Sequence, residues 1–347
     1  MKKILLGALA VIVVVAGCTA ASHLKALQPR HMPASPPLTV PGSVVIRPPA
    51  FQRGIAVDAY TGPGHDFSAA AAAVVAYAKS LNANSLSITF PFFISGPGSS
   101  RVYATSRTPS PAELGLLISD AQRARLYVSL RPLLSEGTLG LPSRTLWKPT
   151  DAAAWFASYR RFLMPYARMA QADKVGEFFV GVEFERFGDS PLWNGLDRAL
   201  AKVFHGQLAY SNNDAKFLSR STGGRLAFKA VDAYHPINPP FLSGWKAWIR
   251  RWLPTGTVLT EVSIAAIDGA WRRPWLHRAQ PSQFNPQVQA KWFTAACHAA
   301  IETGLGGIYF WAIPLATRFR GPTPAKPGAW AHSAGSAAIA RCFGNAK

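Results

Sequence analysis

Acidic residues are scarce in this chain: 17 Asp and Glu in 347 residues, against 37 Lys and Arg, for a formal charge of +20. Ionised carboxylates are seldom buried unless something pairs with them, so each acid embedded in an apolar run needs a reason. Cysteine is scarcer, three in all, with no CxxC pair and no clustered histidines, so no zinc or other metal site is expected. No GxGxxG follows the first apolar strand-like run, which argues against an open dinucleotide-binding sheet. No uninterrupted apolar run reaches the roughly 20 residues of a spanning helix. The basic excess first suggests nucleic acid. Yet Arg160-Arg161, Arg250-Arg251 and Arg272-Arg273 are dispersed and adjoin aromatics, and no zinc-finger, helix-turn-helix or RNP pattern accompanies them. A soluble basic surface is the expectation, with no nucleic acid as partner.

What is present is globular: 49% hydrophobic residues, 11 Trp and 20 Phe exclude a disordered chain. The N-terminus reads as a signal peptide, Lys2-Lys3 followed by an apolar run over residues 4–15. Val15-Ala16-Gly17-Cys18 resembles the bacterial lipobox. That resemblance implies removal of residues 1–17 and a lipid on the Cys18 thiol; an ordinary secretory signal cut near Thr19-Ala20-Ala21 is the alternative. The expected location is the bacterial cell envelope, outside the cytoplasm and lipid-anchored to the membrane, or otherwise secreted or periplasmic. Residues 18–52, with Pro29, Pro33, Pro36, Pro37, Pro41, Pro48 and Pro49, read as a tether. Residues 53–347 form the folded part, expected as a monomer. In an oxidising compartment Cys297 and Cys342, each in an apolar helix-like run, are open between a disulfide and two buried thiols.

From Gly54 onward short apolar runs alternate with longer helical stretches. Strands are predicted over residues 55–59, 85–90, 126–130, 177–182, 207–210, 230–233, 258–260 and 307–310. Helices are predicted over 67–81, 111–123, 152–172, 192–204, 245–252 and 287–303. This alternation implies a parallel sheet covered on both faces. Eight candidate strands predict a single α/β domain, a (β/α)₈ TIM barrel, whose chemistry sits where strands end at the C-terminal face.

Those ends carry polar and aromatic groups. The fourth strand delivers Glu183 and the seventh Glu261, the third ends at Arg131, and the fifth leads to Asn212 and Asn213. The sixth leads to Asp232 and Tyr234, and the eighth to Trp311. Two carboxylates across one mouth suit glycoside hydrolysis, one protonating the leaving oxygen and the other attacking the anomeric carbon. Arg131 and Tyr234 are candidates to hold the attacking carboxylate ionised and oriented. Each acid alone also fits a salt bridge or helix cap; the pair is the stronger signal.

Longer phrases carry a family resemblance. Residues 155–163 (WFASYRRFL), 179–183 (FVGVE), 206–212 (GQLAYSN), 231–234 (VDAY), 259–262 (LTEV) and 307–311 (GIYFW) occur in order between about Gly54 and Ile313. Together they resemble the clan A glycoside hydrolases, and specifically family 113, known for β-mannan and mannoside hydrolysis. The resemblance implies a retaining glycosidase with Glu183 as acid/base and Glu261 as nucleophile, and no cofactor. It makes Tyr234 the phenol on the nucleophile and Trp311 the indole beneath the cleaved sugar, where a core Trp closing the barrel is the competing reading.

The chain departs from the family at Val182, where a small polar residue is usual; the 2-hydroxyl contact then passes to Asn212 or Asn213. Strand alternation alone does not choose between Glu183 and Glu185. The family register selects Glu183 and leaves Glu185 at the rim or on Arg186. Asp58 either lines the mouth or pairs with Arg131, and Asp232 reads as structural. His235 and His277 read as loop residues within possible reach of substrate. Trp271 and Trp275, in the Arg-rich loop after the seventh strand, either grip a saccharide or pack on the rim. Two other functions fit the sequence: a non-catalytic carbohydrate-binding envelope lipoprotein, and a hydrolase of an anionic envelope polysaccharide, which a cleft dominated by Arg and Lys would favour.

Overall fold

The computed structural model describes residues 47–215, 218, 229–276 and 281–346. The leader, Cys18, most of the expected tether and His277 lie outside them. The strands are β1 (Gln52–Asp58), β2 (Ser85–Ile94), β3 (Val102–Tyr103), β4 (Tyr127–Leu134), β5 (Glu177–Val182), β6 (Gln207–Asn212), β7 (Ala230–Asp232), β8 (Val258–Val262) and β9 (Gly307–Pro314). Among the described residues seven α-helices flank them: α1 (Phe67–Ser80), α2 (Pro111–Arg123), α3 (Ala152–Ala172), α4 (Leu192–Ala201), α5 (Phe241–Trp252), α6 (Pro286–Glu302) and α7 (Ala334–Asn345). All strands but β3 pair in parallel in the order β1-β9-β8-β7-β6-β5-β4-β2, and β1 pairs with β2 to close the ring. The chain is thus a (β/α)₈ TIM barrel. β2, β4, β5 and β8 are buried at every position, as parallel strands between a filled lumen and a helical jacket must be. Among the described residues no helix is long and apolar enough to cross a membrane.

Several of the few acids start helices. Asp66 accepts the Ala69 N–H and Asp151 the Ala154 N–H, while Ser110 and Glu113 form a capping box on α2 with Pro111 at its first position. At the other end of the chain a disulfide joins Cys297 of α6 to Cys342 of α7. It closes a loop of 45 residues, and restricting the unfolded chain in this way stabilises by about 4 kcal/mol.

Five strands run further toward the C-terminal mouth than predicted: β2 to Ile94, β4 to Leu134, β6 to Asn212, β8 to Val262 and β9 to Pro314. Pro91 and Pro132 lie just past the predicted ends of two of them. In the barrel the ladder continues through both, pairing Phe90 with Pro132 and Pro91 with Leu133. A proline removes one donor without leaving extended backbone. Arg131, Glu261 and Trp311 therefore stand on strands, fixed by the ladder. The extension of β2 also makes room for β3, which pairs antiparallel through Phe93–Tyr103 and Ile94–Val102 and which sequence patterning does not announce.

Candidate active site

Glu261 on β8 is held at both oxygens. Arg131 of β4 donates from Nη1 to Oε1, and Tyr234 donates its hydroxyl to Oε2 at 2.8 Å. The second arm of Arg131 reaches Asp232 Oδ2 at 2.6 Å, and Asp232 Oδ1 accepts from Ser211 and Thr260, each at 2.8 Å. Burial favours a neutral guanidine, but Asp232 and Glu261 outweigh it and keep the Arg131 pKa above the ordinary arginine value. Burial, then the charge of Glu261, lifts Tyr234 well above a free phenol, so it remains a donor. The sequence left Asp58 open as a partner of Arg131; the two arms of Arg131 go to Asp232 and Glu261 instead, and its Nε has no partner.

Glu183 is placed by a different device. β5 ends at Val182, and Glu183 takes a left-handed conformation, φ 59°, at a cost of roughly 1–2 kcal/mol for a residue with a Cβ. Its N–H donates to Ser211 O at 2.8 Å, and the next N–H, of Phe184, donates to the Tyr210 hydroxyl at 2.9 Å. Phe184 and Phe187 then lodge among Trp155 of α3 and Trp193 of α4, ring centroids 5.1–5.9 Å apart. The aromatic phrase in α3 thus backs the turn that aims Glu183. The same turn separates the two candidates that alternation could not: Glu183 accepts from Arg144 Nη1 at 2.6 Å, whereas Glu185 accepts the Asn213 N–H at 2.6 Å.

Burial pushes Glu183 up to about 7, with Arg144 opposing and the charge of Glu261 reinforcing the rise. Arg144 is itself anchored, donating from Nε to Leu134 O at 3.0 Å and from its backbone N–H to Glu136 at 2.8 Å. Sequence reasoning missed Arg144 and Glu136. They lie in an irregular loop after β4 with no periodicity, and only an arginine so soon after a strand end could have drawn notice.

The remaining candidates divide. Trp311, half-buried on β9, has its ring centroid 5.8 Å from the Arg131 guanidinium carbon. With Asp58 and Ser263 it lines a cavity of 330 Å³. Val182 is buried in the barrel interior with Leu133, Phe179 and Trp311 and offers no polar atom. Asn212 is buried at the end of β6, its amide nitrogen 3.5 Å from Ala230 O. Trp271 instead packs edge-on against Phe241 of α5 and lines a separate 710 Å³ cavity beside α6. Trp275 is 53% exposed, and His235 stacks on Trp248 of α5 at 5.4 Å. Among the described residues no group of three or more His, Cys, Asp or Glu is arranged to hold a metal ion.

Comparison with known proteins places this arrangement among relatives. The family model described as Glycoside Hydrolase Family 113 matches residues 60–319. A β-mannanase of that family from Alicyclobacillus acidocaldarius, solved in complex with ManMIm, superposes with a TM-score of 0.72. It covers 86% of this chain and 98% of its own at 19% identity. A β-1,4-mannanase of the same family gives 0.72 over 85% and 99% at 16% identity. A family 5 mannosidase from Rhizomucor miehei gives 0.52 over 86% and 93% at 14% identity. No curated protein matches.

Proposed function

The chain belongs to glycoside hydrolase family 113, and from that premise we propose that it cleaves β-linked, mannan-type polysaccharide or oligosaccharide with retention of configuration. Glu183 is the acid/base and Glu261 the nucleophile. The observation that carries the reading is the unequal treatment of the two carboxylates. Glu261 receives two hydrogen bonds that favour its anion, from Arg131 and Tyr234, while burial keeps a proton on Glu183 up to about pH 7. A carboxyl kept protonated by burial, facing a second one gripped at both oxygens by donors, divides the roles of acid and nucleophile.

In the first step Glu261 attacks the anomeric carbon and forms an ester, the glycosidic C–O bond breaks, and the Glu183 proton passes to the departing oxygen. The ester has no negative charge, so the repulsion that helped hold the proton on Glu183 disappears, and Arg144 then favours the carboxylate. Glu183 can therefore take a proton from water, whose oxygen attacks the anomeric carbon and releases Glu261. The same electrostatics thus serve both halves of the cycle.

The mouth favours an uncharged glycan over an anionic one. The buried Arg131 is already engaged by Asp232 and Glu261, and the half-buried Arg144 by Glu183 and Glu136. We assign the protein to the extracytoplasmic envelope, anchored through lipid on Cys18. The Cys297–Cys342 disulfide suits an oxidising compartment; loss of metabolic lipid labelling in Cys18→Ser checks the anchor.

The catalytic test is reducing-sugar release from β-mannan, glucomannan, xylan, glucan and uronate-containing polymers by the chain from Thr19, beside Glu261→Ala. Release from mannan that the variant lacks is expected. No release from any polymer by folded protein that still binds one of them would return the non-catalytic binding reading to first place.

A further inference from the structure

Each helix of the barrel runs back from the mouth, so the floor is made of helix C-termini and the loops that lead into the next strands. Backbone bonds tie these loops together: the Gln207 N–H donates to Gly176 O and the Gln52 N–H to Gly306 O, each at 2.9 Å. The chain enters the barrel here, from the exposed Arg47 through residues 48–51 into β1. Acids and cations are shared unequally between the two ends. On the floor side Glu177 and Asp197 are buried, Asp120 pairs with Arg123 and Glu302 with Lys246, which leaves Asp173, half-buried at the end of α3. The other acids stand at strand ends, helix starts and loops of the mouth side. Exposed cations of the floor include Arg47, Arg125, Lys174, Lys202, Arg250 and Arg251.

A cation in the last turn of a helix is favoured by the helix dipole, and Arg250 and Arg251 of α5 need no other reason. Arg125 and Lys174 do. Each stands two residues past the end of a helix, α2 and α3, in the left-handed conformation, φ 59° and 53°. That position favours Gly or Asn, because a Cβ crowds the following carbonyl oxygen. The matching positions after α1 and α6 are Asn82 and Gly304. Two turns of the same kind thus hold a long cation where a less strained residue would close the helix, so something other than the turn selects it.

Trp252, the last residue of α5, is 45% exposed, with the Arg251 guanidinium carbon 5.0 Å from its ring centroid. An exposed indole beside arginine suits the layer between water and lipid tails, where its apolar body is buried and its N–H stays wet. Arg47, Lys174 and His205 also line a floor cavity of 860 Å³, a volume in the range of ligand sites.

We propose that the barrel floor docks on an anionic phospholipid bilayer, its cations on lipid phosphates and Trp252 in the headgroup layer, so that the mouth faces away from the membrane. The contact rests on the envelope location proposed above and not on the roles of Glu183 and Glu261. It goes beyond a lipid on Cys18, which holds the chain near a membrane without choosing a face: residues 18–46 separate that thiol from Arg47, a length of chain that lets any side of the barrel meet the surface. Charge makes the choice, since each cation brought close to an anionic leaflet strengthens binding about fivefold.

The test is co-sedimentation of the chain from Thr19, which carries no lipid, with phosphatidylcholine vesicles made with and without phosphatidylglycerol, at low and high salt. Binding is expected on the anionic vesicles alone and should fall as salt screens the charges. Two variants with the same change in charge separate the floor from net charge. One is Arg125→Gln/Lys174→Gln/Arg250→Gln/Arg251→Gln; the other is Arg272→Gln/Arg273→Gln/Arg318→Gln/Arg320→Gln, at exposed positions after β8 and β9 on the mouth side. Thermal melts confirm folding. The floor variant is expected to bind at least about 30-fold more weakly, the loss from two cations in contact, and the mouth variant to stay within about threefold of the parent. Trp252→Ala should weaken binding at both salt concentrations alike, because burial of an indole is not screened. Equal losses in the floor and mouth variants, or no binding of the parent to anionic vesicles, overturns the proposal. Capture of soluble poly(glycerol phosphate) without vesicle binding also overturns it and gives the floor to an anionic polymer. Lipid labelling and sugar release report on the anchor and on catalysis separately, so failure of either is distinguishable from failure of this contact.

Discussion

β5 leads from one buried carboxyl to another, and the contrast between them separates architecture from chemistry. Glu177 opens the strand at the barrel floor and Glu183 follows its last residue at the mouth; they are 1% and 6% exposed. Burial pushes both up to about 7. Around Glu177 every close partner is neutral: Gln52 donates an amide N–H to it at 2.7 Å, Tyr127 hydrogen-bonds to it, and Tyr309 donates to Gln52 Oε1 at 2.7 Å. The rings around it pack closely, since a Cβ on Gly54 would run into the Tyr309 ring and one on Gly176 into the Tyr127 ring. Around Glu183 stand a cation, a second carboxylate and a left-handed turn. A raised pKa alone does not mark a site; a raised pKa facing other charges does.

The sharpest way to break this contrast is to neutralise each member. Glu183→Gln is expected to lose about 10²–10⁴-fold in kcat on mannan, the usual weight of a general acid. Glu177→Gln should leave kcat and KM within about twofold, because the floor touches no substrate and catalysis responds only to groups that act at the transition state. Comparable losses in both variants, measured by reducing-sugar release, would end the distinction.

Smaller effects probe the charges around the mouth. Tyr234→Phe removes one hydrogen bond to the Glu261 anion, worth about 1.5–3 kcal/mol, so kcat/KM should fall roughly 10- to 100-fold. Arg144→Met removes the group that most strongly favours the Glu183 carboxylate. In the proposed mechanism the acid form of Glu183 is the active one, so the alkaline limb of kcat/KM, expected near pH 7 in the wild type, should move to higher pH in Arg144→Met. A limb that stays in place would show that Arg144 does not act through Glu183.

Much of this arrangement is legible in the sequence because barrel strands are short apolar runs and their C-terminal ends expose whatever comes next. β5, α2 and α3 begin and end where periodicity puts them, and the acids after β5 and in β8 stand out in a chain so poor in carboxylates. Legibility fails where a contact joins residues far apart without pattern. Arg144 meets Glu183 across 39 positions, and nothing local marks either as the partner of the other. It also fails where loops choose a direction: Trp271 belongs to a loop after β8, yet it turns outward onto Phe241, because an indole finds more apolar surface against α5 than at a mouth lined with ionised groups. Strand alternation misleads at Glu183 for a related reason, since a single left-handed residue resets which way every later side chain points.

The floor has a signature of its own, in stability rather than rate. Glu177 is pushed up to about 7 from the ordinary 4.5, so between those values the folded protein holds a proton that the unfolded chain releases. Stability from this group is therefore fully present below about pH 4.5 and is lost as pH rises through 7, by at most about 3 kcal/mol. Glu177→Gln cannot ionise. Its melting temperature should match the wild type most closely at pH 5 and rise relative to it toward pH 8, while mannan hydrolysis keeps its wild-type pH profile. A melting difference that stays constant from pH 5 to 8 would mean that the Gln52–Tyr127 cage carries the Glu177 anion at no cost, and burial at the floor would then differ from burial at the mouth in energy as well as in company.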